Sequence, residues 1–151
     1  MEVVRRNTDY ALRAMLNLAK HYGNEPVSST ELAQQGQAPY QLVCKLMHKL
    51  HIARLVKSCM GPKGGFRLNK DPSNISLLKI IEAIQGPVRL NRCLLGGDVC
   101  PQQKRCKVRM KLAELEQSIN SFLGSVTLDE LVRQRGAKRK NSAKNPARRK
   151  R

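Results

Sequence analysis

Three stretches in the first third of the chain carry apolar residues at helical spacing. The first, "NTDYALRAMLNLAKHYG", predicts a helix of about four turns that ends at Gly23. In the second, "SSTELAQQG", Ser28 and Glu31 have the spacing of a capping box, and Gly36 ends a short helix. The third, "APYQLVCKLMHKLHIARLV", carries one apolar face and begins near Pro39, where the first turn of a helix tolerates proline. Because a turn of about four residues separates the second and third helices, the pattern predicts a helix-turn-helix.

A β-hairpin is predicted directly after the third helix. The stretch "ARLVKSCMGPKGGFRLNK" contains a strand, a glycine-rich turn from Gly61 to Gly65 and a second strand. The turn has neither the G-x-x-x-x-G-K-S/T nor the G-x-G-x-x-G spacing of a nucleotide-phosphate loop, and it does not join a strand to a helix. A hairpin in this position is typical of the wing of a winged helix.

The rest of the chain contains further helices around a stretch that is rich in cysteine. "SLLKIIEAIQG" predicts an amphipathic helix over residues 76–86, and "TLDELVRQRG" predicts a closing helix with a capping box from Thr127 to Glu130. Between them, "KVRMKLAELEQSINSFLGSV" has a heptad-like seam of Val108, Leu112, Leu115, Ile119 and Phe122. The seam can cover either its own domain or a second copy of the chain. Its length and its place after a complete small DNA-binding unit favour the second copy, since two-fold operators are read by two-fold dimers.

These elements predict a mostly α fold with a small β-hairpin, in which a long dimerisation helix follows a winged helix-turn-helix. We expect a winged helix-turn-helix DNA-binding domain over residues 1–86 and a cysteine-rich loop over residues 87–107. A dimerisation helix and a C-terminal helix are expected over residues 108–135, followed by a disordered basic tail over residues 136–151. The tail lacks large apolar residues, so it cannot bury a core of its own.

Positive charge is spread over the whole chain. Of the formal net charge of +18, nine charges lie in "RGAKRKNSAKNPARRKR" (135–151), which leaves +9 for residues 1–134. Because the body of the chain is basic as well as its tail, a polyanionic partner such as double-stranded DNA is favoured. No charged leader with an apolar core opens the sequence, and no run of about 18 apolar residues occurs in it, so we expect a cytoplasmic protein without a membrane span.

Three of the five cysteines lie in one short stretch, "RCLLGGDVCPQQKRC" (92–106). Cys93, Cys100 and Cys106 are too widely spaced for the closely spaced cysteine pairs of a structural zinc site, and no fourth ligand lies among them. An odd set of thiols in a reducing cytosol is not typical of a disulfide framework, whereas thiolates are soft ligands that suit iron–sulfur clusters and zinc. The spacing favours an iron–sulfur cluster whose last iron has another ligand. Zinc binding and a thiol redox switch stay open as alternatives.

The order of these motifs resembles the Rrf-type winged-helix transcription regulators, whose members include IscR, NsrR and RirA. The resemblance spans residues 1–134 and rests on "TDYALRAMLNLA", the helix-turn-helix, "GPKGGFRLNKDPSNISLLKIIEAIQG", the three cysteines and "LDELV". It implies a homodimer that binds a palindromic operator through a recognition helix over residues 39–51. It also implies that Cys93, Cys100 and Cys106 are ligands of a 2Fe-2S or 4Fe-4S cluster whose state controls DNA binding, with repression relieved when the cluster is lost.

Two positions distinguish this chain from the IscR-like members. Arg109 stands where those members have a histidine three residues after the third cysteine, and Thr8-Asp9-Tyr10 stands where they tend to have Gly-Arg-Tyr. NsrR-like nitric-oxide sensors have an aspartate at the place of Asp9, which reaches from the partner subunit as fourth ligand of a 4Fe-4S cluster. A carboxylate binds iron weakly, which would leave that iron labile towards nitric oxide or iron loss. Two alternatives stay open. Asp9 can be an ordinary helix residue that the helix dipole favours at this position. The protein can also be a RirA-like, iron-responsive regulator.

The candidate DNA contacts lie on the recognition helix, on the wing and at helix starts. Gln41 and Lys45 are one helical turn apart, and both can donate to base edges in the major groove. The candidate phosphate contacts are Arg5, Arg6, Lys49, Lys63 and Arg67, and the further DNA-binding candidates are Ser28 and Thr30. No Ser/His/Asp or Cys/His grouping supports an enzyme. We therefore expect a homodimeric repressor that senses nitric oxide, iron or cluster status, with a DNA-binding protein that uses zinc or a thiol switch as the alternative.

Overall fold

The structure, a computed structural model, describes residues 3–94, 100–102 and 104–137. These residues form six α-helices: α1 (Arg6–Lys20), α2 (Ser29–Gly36), α3 (Tyr40–Ile52), α4 (Leu77–Gln85), α5 (Lys107–Ser125) and α6 (Leu128–Ala137). The two strands are β1 (Val56–Cys59) and β2 (Gly65–Leu68), and short 3-10 turns lie at Pro72–Asn74 and Arg92–Leu94. The expected mostly α fold with a small hairpin is confirmed. The tail from residue 138 onwards, together with residues 95–99 and 103 of the cysteine-rich loop, lies outside the described residues.

Side-chain caps begin three of the helices where the sequence predicts them. The Ser28 hydroxyl accepts a hydrogen bond of 3.2 Å from the backbone N–H of Glu31 at the start of α2. Ser76 caps α4 in the same way, and the Thr127 hydroxyl accepts a bond of 3.3 Å from the N–H of Glu130 in α6. Each cap satisfies a backbone donor that has no partner within the helix, so these helices begin at defined residues.

The hydrophobic core lies where α1 to α4 and the first strand meet. Its fully buried large side chains include Met15, Leu32, Met47, Leu50, Ile75 and Ile80. The apolar face predicted for α3 points into this core, with Leu42 half-buried at its edge. Helix α6 also joins the core, because Leu128 is fully buried and the helix packs on α1. No helix among the described residues is long and apolar enough to cross a membrane.

The hairpin is attached directly to the start of α2. Its strands are antiparallel, with Val56 opposite Leu68. The N–H of Val27 donates to the carbonyl of Phe66 at 2.9 Å, and the N–H of Phe66 donates back to the carbonyl of Val27 at 2.8 Å. A Cβ on Gly65 would lie 2.3 Å from the Val27 carbonyl oxygen, so only glycine allows the two segments to approach this closely. The wing therefore has a fixed position relative to the helix-turn-helix.

We expect the substitution Gly65→Ala to destabilise the fold by about 1–3 kcal/mol, the usual cost of forcing an extra methyl group into a close contact. The added Cβ would displace backbone atoms, which cannot move away as a flexible side chain can. Denaturant unfolding measures the loss. The matched control is Gly36→Ala, because a Cβ at Gly36 meets no atom within 4 Å. Equal stability of the two variants would contradict the close approach at Gly65.

Candidate functional site

Helix α3 presents a polar face away from the core. Gln41 and Lys45, the predicted base contacts, are both exposed on this face. Cys44 lies half-buried between them, and its hydrogen bond with the Tyr40 phenol raises the pKa of Tyr40 above its usual value. The Tyr40 hydroxyl can act as a hydrogen-bond donor. The face therefore carries an amide, an ammonium and a hydroxyl group, which are groups able to bind base edges in a groove of DNA.

Cationic side chains lie along the wing. Arg67 on β2 is exposed and stands directly opposite Lys57 on β1, which is also exposed. Like charges in a cross-strand pair repel each other, and an anion bound over the strands would relieve that repulsion. Lys63, at the turn, is exposed and lies 3.5 Å from the Glu25 carboxylate, an exposed pair that contributes little to stability. The wing thus carries a basic surface that suits the DNA backbone.

The other predicted DNA contacts differ in the exposure of their side chains and in the hydrogen bonds that these side chains form within the protein. The Lys49 ammonium donates to the carbonyl of Ile84 at 3.2 Å, near the end of α4, so in this structure it is held against the protein. The Ser28 hydroxyl is the cap of α2 and is half-buried. The exposed residues of this set are Arg5, Arg6 and Thr30, and also Lys49. Arg6 also donates to the phenol oxygen of Tyr10 at 3.1 Å.

The three clustered cysteines have chemistry that fits an iron–sulfur cluster. Cys93, Cys100 and Cys106 are free thiols, and each is half-buried. Cys106 caps α5, and its Sγ accepts a hydrogen bond of 3.4 Å from the N–H of Arg109. Backbone donors to cysteine sulfur are one means by which proteins tune iron–sulfur clusters. Among the residues that the structure describes, no three His, Cys, Asp or Glu side chains converge to hold a metal ion.

The carboxylate of Asp9 is engaged within its own helix. Its Oδ2 lies 2.7 Å from Nη2 of Arg13, one turn further along α1, and the pair is partly exposed. The adjacent Thr8 is fully buried, and its hydroxyl donates to Oε1 of Gln85 at 2.6 Å. Gln85 ends α4 just before the cysteine-rich loop, so the start of α1 is fixed beside the start of that loop. Among the residues that the structure describes in one chain, Asp9 and the cysteines do not converge into a group that could hold a metal ion.

Helix α5 carries an apolar stripe that the described residues leave uncovered. The exposed stripe consists of Val108, Leu115 and Phe122, which are 67%, 51% and 66% exposed and recur at heptad spacing. Leu112 and Ile119, the other members of the predicted seam, are half-buried at its border. Contiguous exposed apolar surface of this kind marks an interaction site.

Some residues around the site were not singled out from the sequence. Lys57 was missed, although strand alternation places it on the same side of the hairpin as Arg67. Arg89 and Glu116 were also missed, and they form an ion pair of 2.6 Å between the cysteine-rich loop and α5. No local pattern identifies this pair, because its members are far apart in sequence.

Comparison with known proteins identifies the family. The Rrf2 family of iron-dependent transcriptional regulators matches residues 4–134. A transcriptional regulator of the helix-turn-helix type, IscR of Xenorhabdus nematophila, is 33% identical over 124 residues, which cover 82% of this chain and 75% of the relative. A putative regulator of the same type from Haemophilus influenzae is 33% identical over 132 residues, or 87% of each chain.

Solved structures agree with this assignment. CymR, the global cysteine regulator of B. subtilis, has a TM-score of 0.73 at 27% identity, covering 89% of this chain and 98% of its own. IscR of T. potens has a TM-score of 0.72 at 25% identity, covering 94% and 93% of the two chains. The oxidized form of Staphylococcus aureus CymR has a TM-score of 0.66 at 26% identity, covering 87% and 96%. With its winged helix and exposed recognition face, the chain belongs to the Rrf2 family of DNA-binding transcriptional regulators.

Proposed function

We propose that this protein is a homodimeric, cytoplasmic repressor whose three clustered cysteines hold an iron–sulfur cluster that controls operator binding. One observation carries the proposal. Three free, half-buried thiols lie between a complete winged helix and a long helix with an uncovered apolar stripe. A ligand held by these thiols would lie, in chain order, between the DNA-binding unit and the helix proposed to form the dimer.

Two copies joined through α5 would read a palindromic operator. The exposed stripe would pack against itself across a two-fold axis, which removes its apolar side chains from water. The two α3 helices would then enter successive major grooves, about 34 Å apart, with Gln41 and Lys45 at base edges. Lys57, Lys63 and Arg67 on the wings would contact the flanking phosphates.

The proposed ligands are Cys93, Cys100 and Cys106, with Asp9 of a second copy as the fourth. Three sulfurs and one carboxylate favour a 4Fe-4S cluster; a 2Fe-2S cluster is the alternative. When bound, the cluster would supply an iron with one weak, hard ligand, a centre suited to reaction with nitric oxide or to iron loss. For Asp9 to serve in this way, its carboxylate must leave Arg13. The signal is then nitric oxide, iron availability or cluster status.

A thiol switch is the second candidate function. It is favoured by the presence of five free thiols and by similarity to a CymR whose oxidized form has been solved. In this case the same loop would respond to oxidants, or would bind zinc, without a cluster.

Anaerobic purification separates these candidates. We expect a coloured protein with iron and acid-labile sulfide in equal amounts, and a visible absorption band from sulfur-to-iron charge transfer. A colourless protein with zinc and no sulfide would contradict the cluster, as would a metal-free protein whose thiols oxidise reversibly.

The substitution Asp9→Ala should shorten the lifetime of the cluster in air at least about tenfold, because one iron loses its protein ligand. The absorption spectrum should change with it. The control is Glu25→Ala, which removes an exposed carboxylate that pairs with Lys63 on the wing. An unchanged spectrum and lifetime in the Asp9 variant would remove Asp9 from the ligand set.

A further inference from the structure

Glu116 is a buried carboxylate that the proposed function does not use. It is 6% exposed and is the single buried residue of α5, all of whose residues are described. A carboxylate is costly to bury unless its oxygens are paired or hydrogen-bonded. Its position on an otherwise exposed helix therefore calls for partners of a specific geometry.

Both oxygens of Glu116 bind the segment that leads into the cysteines. Oε1 lies 2.6 Å from Nη1 of Arg89, and Oε2 accepts a hydrogen bond of 2.9 Å from the backbone N–H of Leu90. Val88 and Leu90 are buried on either side of Arg89. The carboxylate thus fixes one side chain and one backbone group at the same time, which determines the position of this segment along the helix.

Arg109 makes the corresponding contacts two helical turns earlier on the same face of α5. Its Nε donates to the carbonyl oxygen of Cys93 at 3.0 Å, and its backbone N–H donates to Sγ of Cys106 at 3.4 Å. Arg109 cannot supply a metal ligand, because a guanidinium group has no free lone pair to offer. Its side chain instead ties Cys93 to the helix, and the bond to Cys106 is the backbone cap at the start of α5.

We propose that Glu116 and Arg109 are positioning residues that fasten the cysteine-rich loop to α5, and that the loop acts on the exposed stripe through them. Glu116 is adjacent to Leu115 of the stripe, so we expect a shift of the loop that pulls on the Glu116 carboxylate to alter the position of the stripe. An ion pair with a second, backbone hydrogen bond tolerates little change in geometry. The regulatory part of this inference rests on the proposed function. The attachment of the loop to α5 does not depend on it.

The attachment is tested by hydrogen exchange in the full-length protein. We expect Glu116→Gln to speed exchange at the Leu90 amide at least about tenfold, because the bond to a charged acceptor is lost. Glu114→Gln is the matched control, since Glu114 lies on the same helix but forms an exposed pair with Lys111. Unchanged exchange at Leu90 in the Glu116 variant would overturn the inference.

If Glu116→Gln does not fold, two substitutions of Arg89, the more exposed partner of the ion pair, test the same contact. Arg89→Gln should also speed exchange at Leu90, and Arg89→Lys, which keeps the positive charge, should restore much of the protection. Equal effects of the two Arg89 variants would contradict a role for the ion pair.

The regulatory part is tested by the ratio of operator affinities in the cluster-loaded and cluster-free states. We expect Glu116→Gln to reduce this ratio at least about fivefold, within the usual range of coupling between two sites, while the cluster-free affinity stays unchanged. Glu114→Gln should keep the wild-type ratio. An unchanged ratio in the Glu116 variant would contradict transmission through Glu116.

If the wild-type ratio is itself close to one, the proposed function and the transmission both fail. The hydrogen-exchange data alone then decide whether Glu116 holds the loop.

Discussion

We expect that replacing Leu115 and Phe122 together by glutamate will convert the proposed dimer into a monomer and lower its affinity for the operator on the order of 100-fold, since each half-site would then bind alone. Both side chains are exposed in the isolated chain, so the substitutions remove no core contact. In the dimer, however, four carboxylates would meet at an apolar interface, where unpaired charges are costly. Light scattering coupled to size-exclusion chromatography measures the molar mass, and gel retardation measures the affinity.

The control for this experiment lies on the same helix. Met110 is 63% exposed but lies on the side of α5 away from the exposed stripe, so Met110→Glu should leave both mass and affinity unchanged. Circular dichroism should show the same helix content in all three proteins. A double variant that remains dimeric would mean that α5 does not form the interface.

We expect that replacing Cys100 by alanine will remove the proposed cluster and abolish its regulation of operator binding. A cluster held by only two cysteines of the loop loses a covalent anchor, so we expect bound iron and sulfide to fall to roughly a tenth of the wild-type content or less. Operator affinity should then be the same before and after treatment with nitric oxide or an iron chelator. Metal and sulfide analysis and gel retardation under anaerobic conditions measure the two effects.

Cys59→Ala provides the matched control for the cysteine experiment. Cys59 is also a free, half-buried thiol, but it lies on β1 of the wing, outside the cysteine-rich loop. Its removal should leave iron, sulfide and regulation intact. Equal loss of iron from both variants would indicate that the metal is bound without selectivity for the loop.

Much of the winged helix could be predicted because its signals are local. The capping serine at Ser28 lies three residues before Glu31, and the glycine-rich turn lies between two short strands, so short windows of sequence contain the whole pattern. The seam on α5 was also visible from heptad spacing. Spacing alone left open whether its own domain covers the seam, and in the structure Val108, Leu115 and Phe122 are exposed.

The contacts that join distant segments could not be predicted. The bridge between Val27 and Phe66, the burial of Leu128 against α1 and the ion pair of Arg89 with Glu116 each connect residues far apart in sequence. Periodicity shows which face of a helix is apolar, but it does not show which other element covers that face. For the same reason the bond between the Lys49 ammonium and the Ile84 carbonyl was not visible in the sequence, and the phosphate contact of Lys49 stays a prediction.

Contacts at both ends of the cysteine-rich loop connect it to the DNA-binding unit and to the proposed dimer helix. On one side, Gln85 at the end of α4 accepts bonds from Thr8 and from the backbone of Arg5 at the start of α1. On the other side, Glu116 and Arg109 hold the loop on α5. Because both ends of the loop are attached to structured elements, we expect a change in the arrangement of its cysteines to reach those elements.

We propose that the state of the cysteine-rich loop sets operator affinity. A comparison of operator affinities in two states of the same protein tests this proposal. The protein is purified anaerobically, and its affinity for the same promoter fragment is determined before and after removal of iron and sulfide, at one salt concentration, since affinity for DNA depends on salt. We expect iron and sulfide in the first sample and at least about tenfold tighter operator binding before removal than after it. Equal affinity in the two states, or a protein without iron and sulfide, would contradict the proposal.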